Sequence, residues 1–234
     1  MGVHGIEFDA RGEMRPQDMG PTALRQLRKL LDDNELRVCA VEFHTRRGYG
    51  VMDELDRRVE ATKAAMKMAR ALGCGLVVNQ VGHIPEDLTT GEGQVLVEVL
   101  RDLGHFGQHA GALLAAETGS ERPADLRRLI DALPAGSLVV TLDPGNLVMN
   151  GFSPLEAVEK LGQAIHHVHA HDAARDLRQR RGVEVQLGRG EVDFPNLFGV
   201  LEEHDYRGWF SIERDDADDP TVEIAAAVQY LAHL

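Results

Sequence analysis

The sequence predicts an α/β fold in which short strands alternate with helices around a parallel sheet. Short apolar runs rich in β-branched residues are separated along the whole chain by stretches with helical spacing of apolar residues. No Ser/Gly-rich linker, low-complexity tract or internal repeat interrupts this alternation. With 234 residues and 43% hydrophobic content, the chain can bury one large core. We therefore expect one domain over residues 1–234, built as a (β/α)8 TIM barrel.

Seven segments are predicted as strands, one fewer than a closed barrel contains. They are residues 3–8, 37–43, 75–80, 110–117, 137–143, 165–169 and 209–213. Because the first of them begins almost at Met1, the sequence predicts a barrel without its first strand. A start codon assigned too late, a barrel open between its first and last strands, and a different doubly wound sheet remain alternatives. Unpaired sheet edges favour association, so a homo-oligomer is compatible with this fold.

Helices are predicted between the strands, and several have recognisable ends. Pro21 suits the first turn of a helix, and Leu24, Leu27 and Leu31 follow it at helical spacing. A long helix over residues 53–72 stops at Gly73, the residue type that most often follows a helix. The remaining predicted helices span residues 92–109, 123–133, 154–161, 195–204 and 221–234.

The composition favours a small-molecule partner over nucleic acid or a membrane. A net charge of −13 and an isoelectric point near 5.3 oppose the binding of polyanions. No apolar run reaches membrane-spanning length, and the N-terminus lacks the basic start and apolar core of a signal peptide. Cys39 and Cys74 lie in separate apolar stretches without disulfide or metal spacing, which is typical of reduced thiols. We therefore expect a soluble cytoplasmic protein.

Four predicted strands end on a side chain that can bind a metal ion. These residues are Glu117, Asp143, His169 and Glu213. His169 belongs to the segment 165–172, which contains four histidines and an aspartate. Because the carboxyl ends of parallel strands converge on one face of a barrel, we expect the four side chains to share one site.

The neighbours of these four residues agree with an orientation toward the barrel interior. Along a strand, side chains alternate between the interior and the helix layer. The residues directly before the four are all apolar, namely Ala116, Leu142, Val168 and Ile212. The residues two positions before them are small or polar, namely Ala115, Thr141, His167 and Ser211. A polar inner layer of this kind suits hydrogen bonding to metal ligands.

Two glutamates, one aspartate and one imidazole form an oxygen-rich ligand set. Such a set favours Mn²⁺, Mg²⁺ or Co²⁺, with Zn²⁺ as an alternative. For any single residue another explanation competes, because strand-end acids often cap the next helix and buried histidines are often core residues. The repetition of the pattern at four strand ends favours a shared metal site.

Several motifs carry a resemblance to a known family. They are Leu-Ala-Ala-Glu-Thr at 114–118, Thr-Leu-Asp-Pro-Gly-Asn-Leu at 141–147, Val-His-Ala-His-Asp at 168–172, Leu-Gly-Arg-Gly-Glu-Val-Asp-Phe at 187–194 and Gly-Trp-Phe-Ser-Ile-Glu at 208–213. Over nearly its whole length the chain resembles the sugar phosphate isomerase/epimerase family with a xylose-isomerase-like TIM barrel, which includes D-tagatose 3-epimerase, inosose dehydratase and endonuclease IV. The resemblance implies that the family's first strand is the element missing here.

In members that epimerise ketoses, the resemblance implies that Glu117, Asp143, His169 and Glu213 hold the metal. It also implies that Glu117 and Glu213 exchange protons with the substrate. The chemistry is coherent, because a divalent ion chelating a carbonyl and its adjacent hydroxyl stabilises the enediolate formed when a C–H proton leaves. One carboxylate takes that proton and another delivers one. Arg175 falls where those epimerases place a substrate-binding arginine.

Further substrate contacts are expected from residues near the strand ends, namely Glu42, His44, His83, Asn146 and His171. For Glu42, His44 and His83, helix capping or surface exposure competes with this role. Asn146 and Arg189 depart from the family pattern, which often has a histidine and an acid at these positions. The resemblance therefore does not identify the substrate. The loop 173–190 is rich in arginine, and it is either a lid that grips an anionic substrate or a solvated loop that pairs with surface acids. Its arginines are Arg175, Arg178, Arg180, Arg181 and Arg189.

The expected function is that of a metal-dependent isomerase or epimerase acting on a ketose, keto-inositol or related polyol. A dehydratase of the inosose type is the nearest alternative, because the same enediolate can expel a β-hydroxyl. A phosphodiesterase acting on DNA shares the barrel but uses several zinc ions and more histidines, and the charge of −13 opposes it. A non-catalytic barrel that binds a sugar or a partner is the alternative from another class.

Overall fold

The computed structural model describes residues 2–176 and 181–234. In these residues, seven strands pair in parallel and two more form an antiparallel hairpin. The chain divides into two compact units. We call residues 4–117 and 128–139 the four-strand unit, and residues 118–127 and 140–234 with the extreme N-terminus the hairpin unit.

The four-strand unit is a run of strand–helix repeats. Its elements are β1 (Gly5–Asp9), a 3-10 turn (Pro16–Asp18), α1 (Pro21–Asp33), β2 (Arg37–Glu42), α2 (Leu55–Ala71), β3 (Leu76–Asn79), α3 (Gly91–Ala110) and β4 (Leu113–Glu117). β1 pairs with β2, β2 with β3 and β3 with β4, all in parallel. The carboxyl ends of β1 to β4 therefore lie at one edge of the sheet.

Apolar side chains at helical spacing hold α3 in the four-strand unit. Leu96, Leu100 and Leu103 are completely buried, as expected for one stripe of an amphipathic helix. Gly104 lies on the same helix, and a Cβ there would come within 2.6 Å of the Ser137 backbone. This close approach requires a glycine.

The hairpin unit contains most of the remaining elements. The helix α4 (Pro123–Asp131) precedes them, and they are β5 (Val139–Leu142), α5 (Pro144–Met149), α6 (Pro154–Leu161), a 3-10 turn (Gly162–Ala164), β6 (Ile165–Ala170), β7 (Asp172–Asp176), β8 (Arg181–Val185), α7 (Phe194–Glu203), β9 (Trp209–Ile212) and α8 (Pro220–Leu231). The last residues of α4 and the first residue of β5 belong to the four-strand unit. β6 lies between β5 and β9 and pairs with both in parallel. β7 and β8 form the hairpin.

One carboxylate anchors the chain segment that follows the hairpin. Asp172 is 1% exposed and accepts hydrogen bonds from the backbone N–H groups of Gly188 at 2.9 Å, Gly190 at 2.8 Å and Val192 at 3.2 Å. Gly190 has no room for a side chain, because a Cβ would lie 2.1 Å from an Asp172 oxygen. Asp172 therefore acts as a structural centre beside the candidate site.

All seven predicted strands are present, with boundaries shifted by up to three residues. The hairpin corrects the interpretation of residues 173–190 as a loop. Val183 to Gln186 alternate apolar and polar residues with a period of two, which is a strand pattern. Two helices rather than one follow β5. In the described part of the chain, no helix has both the length and the apolar character to cross a bilayer.

Candidate functional site

Asp143 is the most buried acid of the candidate site, with no exposed surface. It follows β5 directly and forms the N-cap of α5, because Oδ1 accepts a hydrogen bond from the Asn146 N–H at 2.7 Å. The Asn146 side-chain amide also donates to Asp143 Oδ2 at 2.6 Å. Asn146 therefore holds the aspartate in place in the structure.

His169 and Glu213 lie at the carboxyl ends of two adjacent strands of the hairpin unit, β6 and β9. The register pairs His169 on β6 with Ser211 on β9, which places Glu213 one step beyond the strand end. His169 Nδ1 lies 2.8 Å from Glu213 Oε2 and 4.0 Å from Asp143 Oδ2. Beneath them, the rings of His167 and His169 meet edge to face, and His167 Nε2 is 2.9 Å from Ser211 Oγ.

His171 supports Asp143 from the other side. Its Nδ1 lies 3.0 Å from both oxygens of Asp143, and its Nε2 lies 3.7 Å from Glu184 Oε1. Burial acts to lower the pKa of His171, but Asp143, Glu213 and Glu184 outweigh it and raise the pKa to about 9. These carboxylates therefore favour the protonated form of the imidazole. Gly145 makes room for it, since a Cβ there would lie 2.6 Å from the ring.

Glu117 belongs to the four-strand unit, at the end of β4, and its side chain is only 2% exposed. Its Oε2 lies 3.1 Å from His44 Nε2 and accepts a hydrogen bond from Gln80 at 3.0 Å. His44 Nδ1 lies 2.9 Å from Glu42 Oε1. Burial acts to lower the pKa of His44, but Glu117 and Glu42 raise it to about 10. A protonated His44 thus bridges two carboxylates.

The remaining residues predicted to contact substrate are more exposed. His83 is exposed in the segment between β3 and α3. Arg175 lies on β7 and pairs with Glu191 at 3.0 Å, with its side chain 53% exposed. Arg189 is exposed. Arg178 and Arg180 lie outside the described residues, as does the side chain of Arg181, so the lid hypothesis stays a prediction.

Sequence reasoning missed two residues that organise the site. Glu184 on β8 contacts His171 and also pairs with Arg214 at 2.6 Å. The strand pattern around it was the available signal. Thr118, which directly follows Glu117, accepts a hydrogen bond from the Asp143 N–H through its hydroxyl at 2.9 Å. A threonine after a strand-end acid carries no sequence signal for this role.

The three ligand-type side chains of the hairpin unit fit a divalent ion. Asp143, His169 and Glu213 each offer one ligand atom, and these atoms lie within 4.8 Å of one another. Ligands at about 2.0 to 2.6 Å from a common ion lie at most about 5 Å apart. Two carboxylates and one imidazole match hard or borderline divalent metals. The hairpin unit therefore contains a candidate metal-binding group.

The fold agrees with comparisons to known proteins. The family model described as "Xylose isomerase-like TIM barrel" matches residues 1–234. The chain belongs to this family, and its fold is the xylose-isomerase-like TIM barrel.

Individual similar proteins have names of two kinds. Inosose dehydratase from Bacillus thuringiensis (strain Al Hakam) is 24% identical over 226 residues, which cover 84% of this chain and 74% of the relative. The crystal structure of a D-tagatose 3-epimerase-like protein matches with a TM-score of 0.80 and 23% identity, covering 99% of this chain and 90% of the other.

A third comparison concerns the metal. A xylose isomerase-like TIM barrel protein from Mycobacterium smegmatis, solved in complex with magnesium, matches with a TM-score of 0.78 and 17% identity. The match covers 99% of this chain and 83% of that one. A divalent metal thus occurs in a protein of the same fold.

Proposed function

We propose that the protein is a divalent-metal-dependent isomerase or epimerase of a ketose or keto-polyol. The proposed metal ligands are Glu117, Asp143, His169 and Glu213. A divalent ion there supplies Lewis-acid stabilisation of negative charge on the substrate oxygens. Mn²⁺, Mg²⁺ and Co²⁺ suit this donor set, and Zn²⁺ is the alternative. The substrate is a small sugar or polyol, in keeping with the names of the relatives.

One observation carries this proposal. Asp143, His169 and Glu213 come from three different strand ends, yet their ligand atoms lie within 4.8 Å of one another. Helix capping accounts for one Asp143 oxygen only. It gives no reason for an imidazole and a second carboxylate at the same place.

Glu117 joins this group through its position in the chain. The next residue, Thr118, donates its N–H to the Thr141 carbonyl of β5 at 3.0 Å and binds the Asp143 N–H through its hydroxyl. The residue that follows Glu117 is therefore hydrogen-bonded to the backbone that carries Asp143, which supports Glu117 as the fourth proposed ligand.

Glu117 and Glu213 are the proposed acid–base residues. One carboxylate removes the proton from the carbon next to the substrate carbonyl and leaves an enediolate. The other, as the carboxylic acid, returns a proton to the opposite face of that carbon, which inverts its configuration. His44 Nε2 lies 3.1 Å from Glu117 Oε2, which supports Glu117 as the base of the pair.

The smaller assignments follow from the contacts. His171 and Asn146 orient Asp143, and both lie close enough to the site to bind substrate hydroxyls. Arg175, Glu42 and His83 complete the proposed substrate contacts.

A dehydratase of the inosose type is the second candidate function. The curated relative with 84% coverage of this chain carries that name. The chemistry begins with the same proton abstraction, and the enediolate then expels a β-hydroxyl as water. The same acid–base pair serves both reactions.

Metal analysis of the purified and reloaded protein is the first test. We expect about one equivalent of divalent metal in the wild type, and far less in Asp143→Asn and His169→Ala. Glu203→Gln, which changes an exposed glutamate on α7, is the matched control and keeps the metal. A wild type that binds no metal, with stability unchanged by a chelator, refutes the proposal and supports a non-catalytic barrel.

The reaction class is decided with a panel of ketoses and inososes in D₂O. An epimerase yields the epimeric sugar with one deuterium at the inverted carbon, measured by NMR and mass spectrometry. A dehydratase yields an absorbing dicarbonyl product and no epimer. If the metal-loaded protein turns over no member of a broad panel and exchanges no carbon-bound proton, the enzyme assignment is wrong.

A further inference from the structure

Two adjoining cavities lie in the four-strand unit, away from Glu117. Their volumes are about 500 and 380 Å³, within the usual range of ligand sites. They share Arg11, Phe43, Arg57 and Ala61 as lining residues. The shared walls make them two lobes of one space, which we call the arginine cavity.

The two lobes differ in character. The larger lobe is walled by apolar side chains of α1, α2 and the segment before α1, namely Met19, Leu24, Ala64 and Met68. The smaller lobe is lined by the arginines that follow β2 and begin α2, namely Arg46, Arg47 and Arg58, with Glu54 as its only acid among the described lining residues. The larger lobe thus has an apolar wall, and the smaller lobe is cationic.

This charge pattern is opposite to that of the whole chain. The protein carries 38 acidic and 25 basic side chains, yet the larger lobe is lined by Arg11, Arg15, Arg57 and Lys67 with no acid among its described lining residues. Concentrated guanidinium groups in a net acidic protein favour a specific anion.

Several of these cations are available to a ligand. In the described chain, Arg46 makes no hydrogen bond or ion pair, and the Arg11 guanidinium contacts only the His44 carbonyl. Arg57 pairs with Glu54 at 3.1 Å, but both side chains are more than 60% exposed, so that pair contributes little. Arg58 instead binds backbone carbonyls, including Gly48 at 2.9 Å, and forms part of the wall.

The arginine cavity is separate from the proposed catalytic site. Phe43 lines the cavity, whereas the next residue, His44, contacts Glu117. Successive side chains along an extended segment point to opposite sides. A ligand in the cavity would therefore lie behind the chain that carries His44.

We propose that the arginine cavity binds a small amphipathic anion, with a carboxylate or phosphate against Arg46, Arg11 and Arg57 and an apolar body in the larger lobe. Shape and charge both favour this combination, since inorganic phosphate leaves the apolar lobe empty and a neutral apolar molecule leaves the positive charge of the smaller lobe unbalanced. The site does not depend on the metal centre or on turnover.

The test uses the full chain and the fluorescent sulfonate 8-anilinonaphthalene-1-sulfonate, with neutral N-phenyl-1-naphthylamine as the matched probe. We expect saturable one-to-one binding of the sulfonate, displaced by decanoate or by decyl phosphate, whichever head group the site prefers. The double variant Arg46→Gln/Arg57→Gln weakens binding by about tenfold or more. Ala64→Leu, which fills the apolar lobe on a helix, weakens both probes.

Arg101→Gln, an exposed arginine on α3, is the matched control and leaves the affinity unchanged. Circular dichroism and Tm verify that each variant folds, and Ala64→Leu tests the site even if the double variant does not fold. Equal binding of the neutral and the anionic probe, or sulfonate affinity unaffected by both Ala64→Leu and the double variant, overturns the proposal. Binding that is identical before and after chelation separates this site from the metal centre.

Discussion

Glu117 and Glu213 have the same proposed role but very different surroundings. The Glu117 side chain is 2% exposed, and the end of β4 is buried throughout. The Glu213 side chain is 24% exposed and follows β9, whose four residues are exposed or half-buried. Glu117 is held by His44 and Gln80 from neighbouring strand ends, whereas the described partner of Glu213 is His169.

The difference indicates how each carboxylate is kept in position. Around Glu117, short-range packing, a hydrogen bond from Gln80 and the contact with His44 hold the side chain directly. The backbone at Glu213 is instead held in place by the next residue, because Arg214 pairs with Glu184 at 2.6 Å and with Glu223 at 2.7 Å. This ion-pair group connects β8, the end of β9 and α8. One acid is therefore fixed by its own contacts and the other by the anchoring of its backbone.

The largest expected effect comes from neutralising each glutamate in turn. Glu117→Gln and Glu213→Gln should each reduce epimerisation by about 10³-fold at saturating metal, because each removes one proton-transferring group. The two variants should differ in isotope exchange. Each should still exchange the carbon-bound proton of one epimer with D₂O, and the two should act on opposite epimers.

Glu203→Gln serves again as the control and should keep full activity. Exchange of both epimers by the same variant would contradict the assignment of one base to each face. Loss of bound metal in either variant would assign the defect to ligation, so metal content is measured on the same samples.

Disrupting the Arg214 ion-pair group should have the next largest effect. Arg214→Met leaves Glu184 and Glu223 without their cation, although these side chains are only 6% and 8% exposed. We expect Tm to fall by about 5 to 10 °C, with a weaker effect on metal binding. Arg207→Met, an exposed arginine before β9, is the control and should change Tm little.

The effect of Arg214→Met on Tm should depend on pH. Burial acts to raise the pKa of Glu223, but Arg214 and nearby backbone N–H groups outweigh it and lower the pKa. A carboxylate with a lowered pKa in the folded state stabilises the protein above its ordinary pKa of about 4.3, and this contribution is lost as the pH falls. The Tm difference between wild type and Arg214→Met should therefore narrow on acidification below pH 5. A constant difference would indicate that Arg214 acts through packing alone.

Much of this architecture is predictable because it is encoded locally. Glu117, Asp143, His169 and Glu213 each end an apolar run, and parallel strands present such ends on one side of a sheet. The partners of these residues are encoded by contacts distant in sequence. No local pattern pairs His44 with Glu117, or Glu184 with Arg214. The strand character of β8 was visible, but the arginines around it favoured interpretation as a loop.

A smaller effect is expected at Thr118, which links the end of β4 to Asp143. Thr118→Val keeps the shape but removes the acceptor for the buried Asp143 N–H, at a cost of about 2 kcal/mol in the free energy of unfolding. Metal affinity should fall by about tenfold, because the backbone of a ligand is loosened. Thr118→Ser retains the hydroxyl and should restore most of both quantities. Equal behaviour of the two variants would exclude the hydroxyl as the cause.

The smallest expected change in stability concerns Arg175, at the exposed edge of the hairpin unit. Its side-chain ion pair with Glu191 is surface-exposed and contributes little to stability. The backbone N–H of residue 175 also donates to Glu191 at 2.7 Å, and the substitution retains this hydrogen bond. Arg175→Gln should therefore lower Tm by less than about 3 °C. If its guanidinium binds substrate as proposed, KM should rise by about tenfold with kcat nearly unchanged. Arg207→Gln, in the same unit, is the matched exposed control. An unchanged KM would confine Arg175 to its pairing with Glu191, and substrate binding would then rest on the buried residues around Asp143 and Glu117.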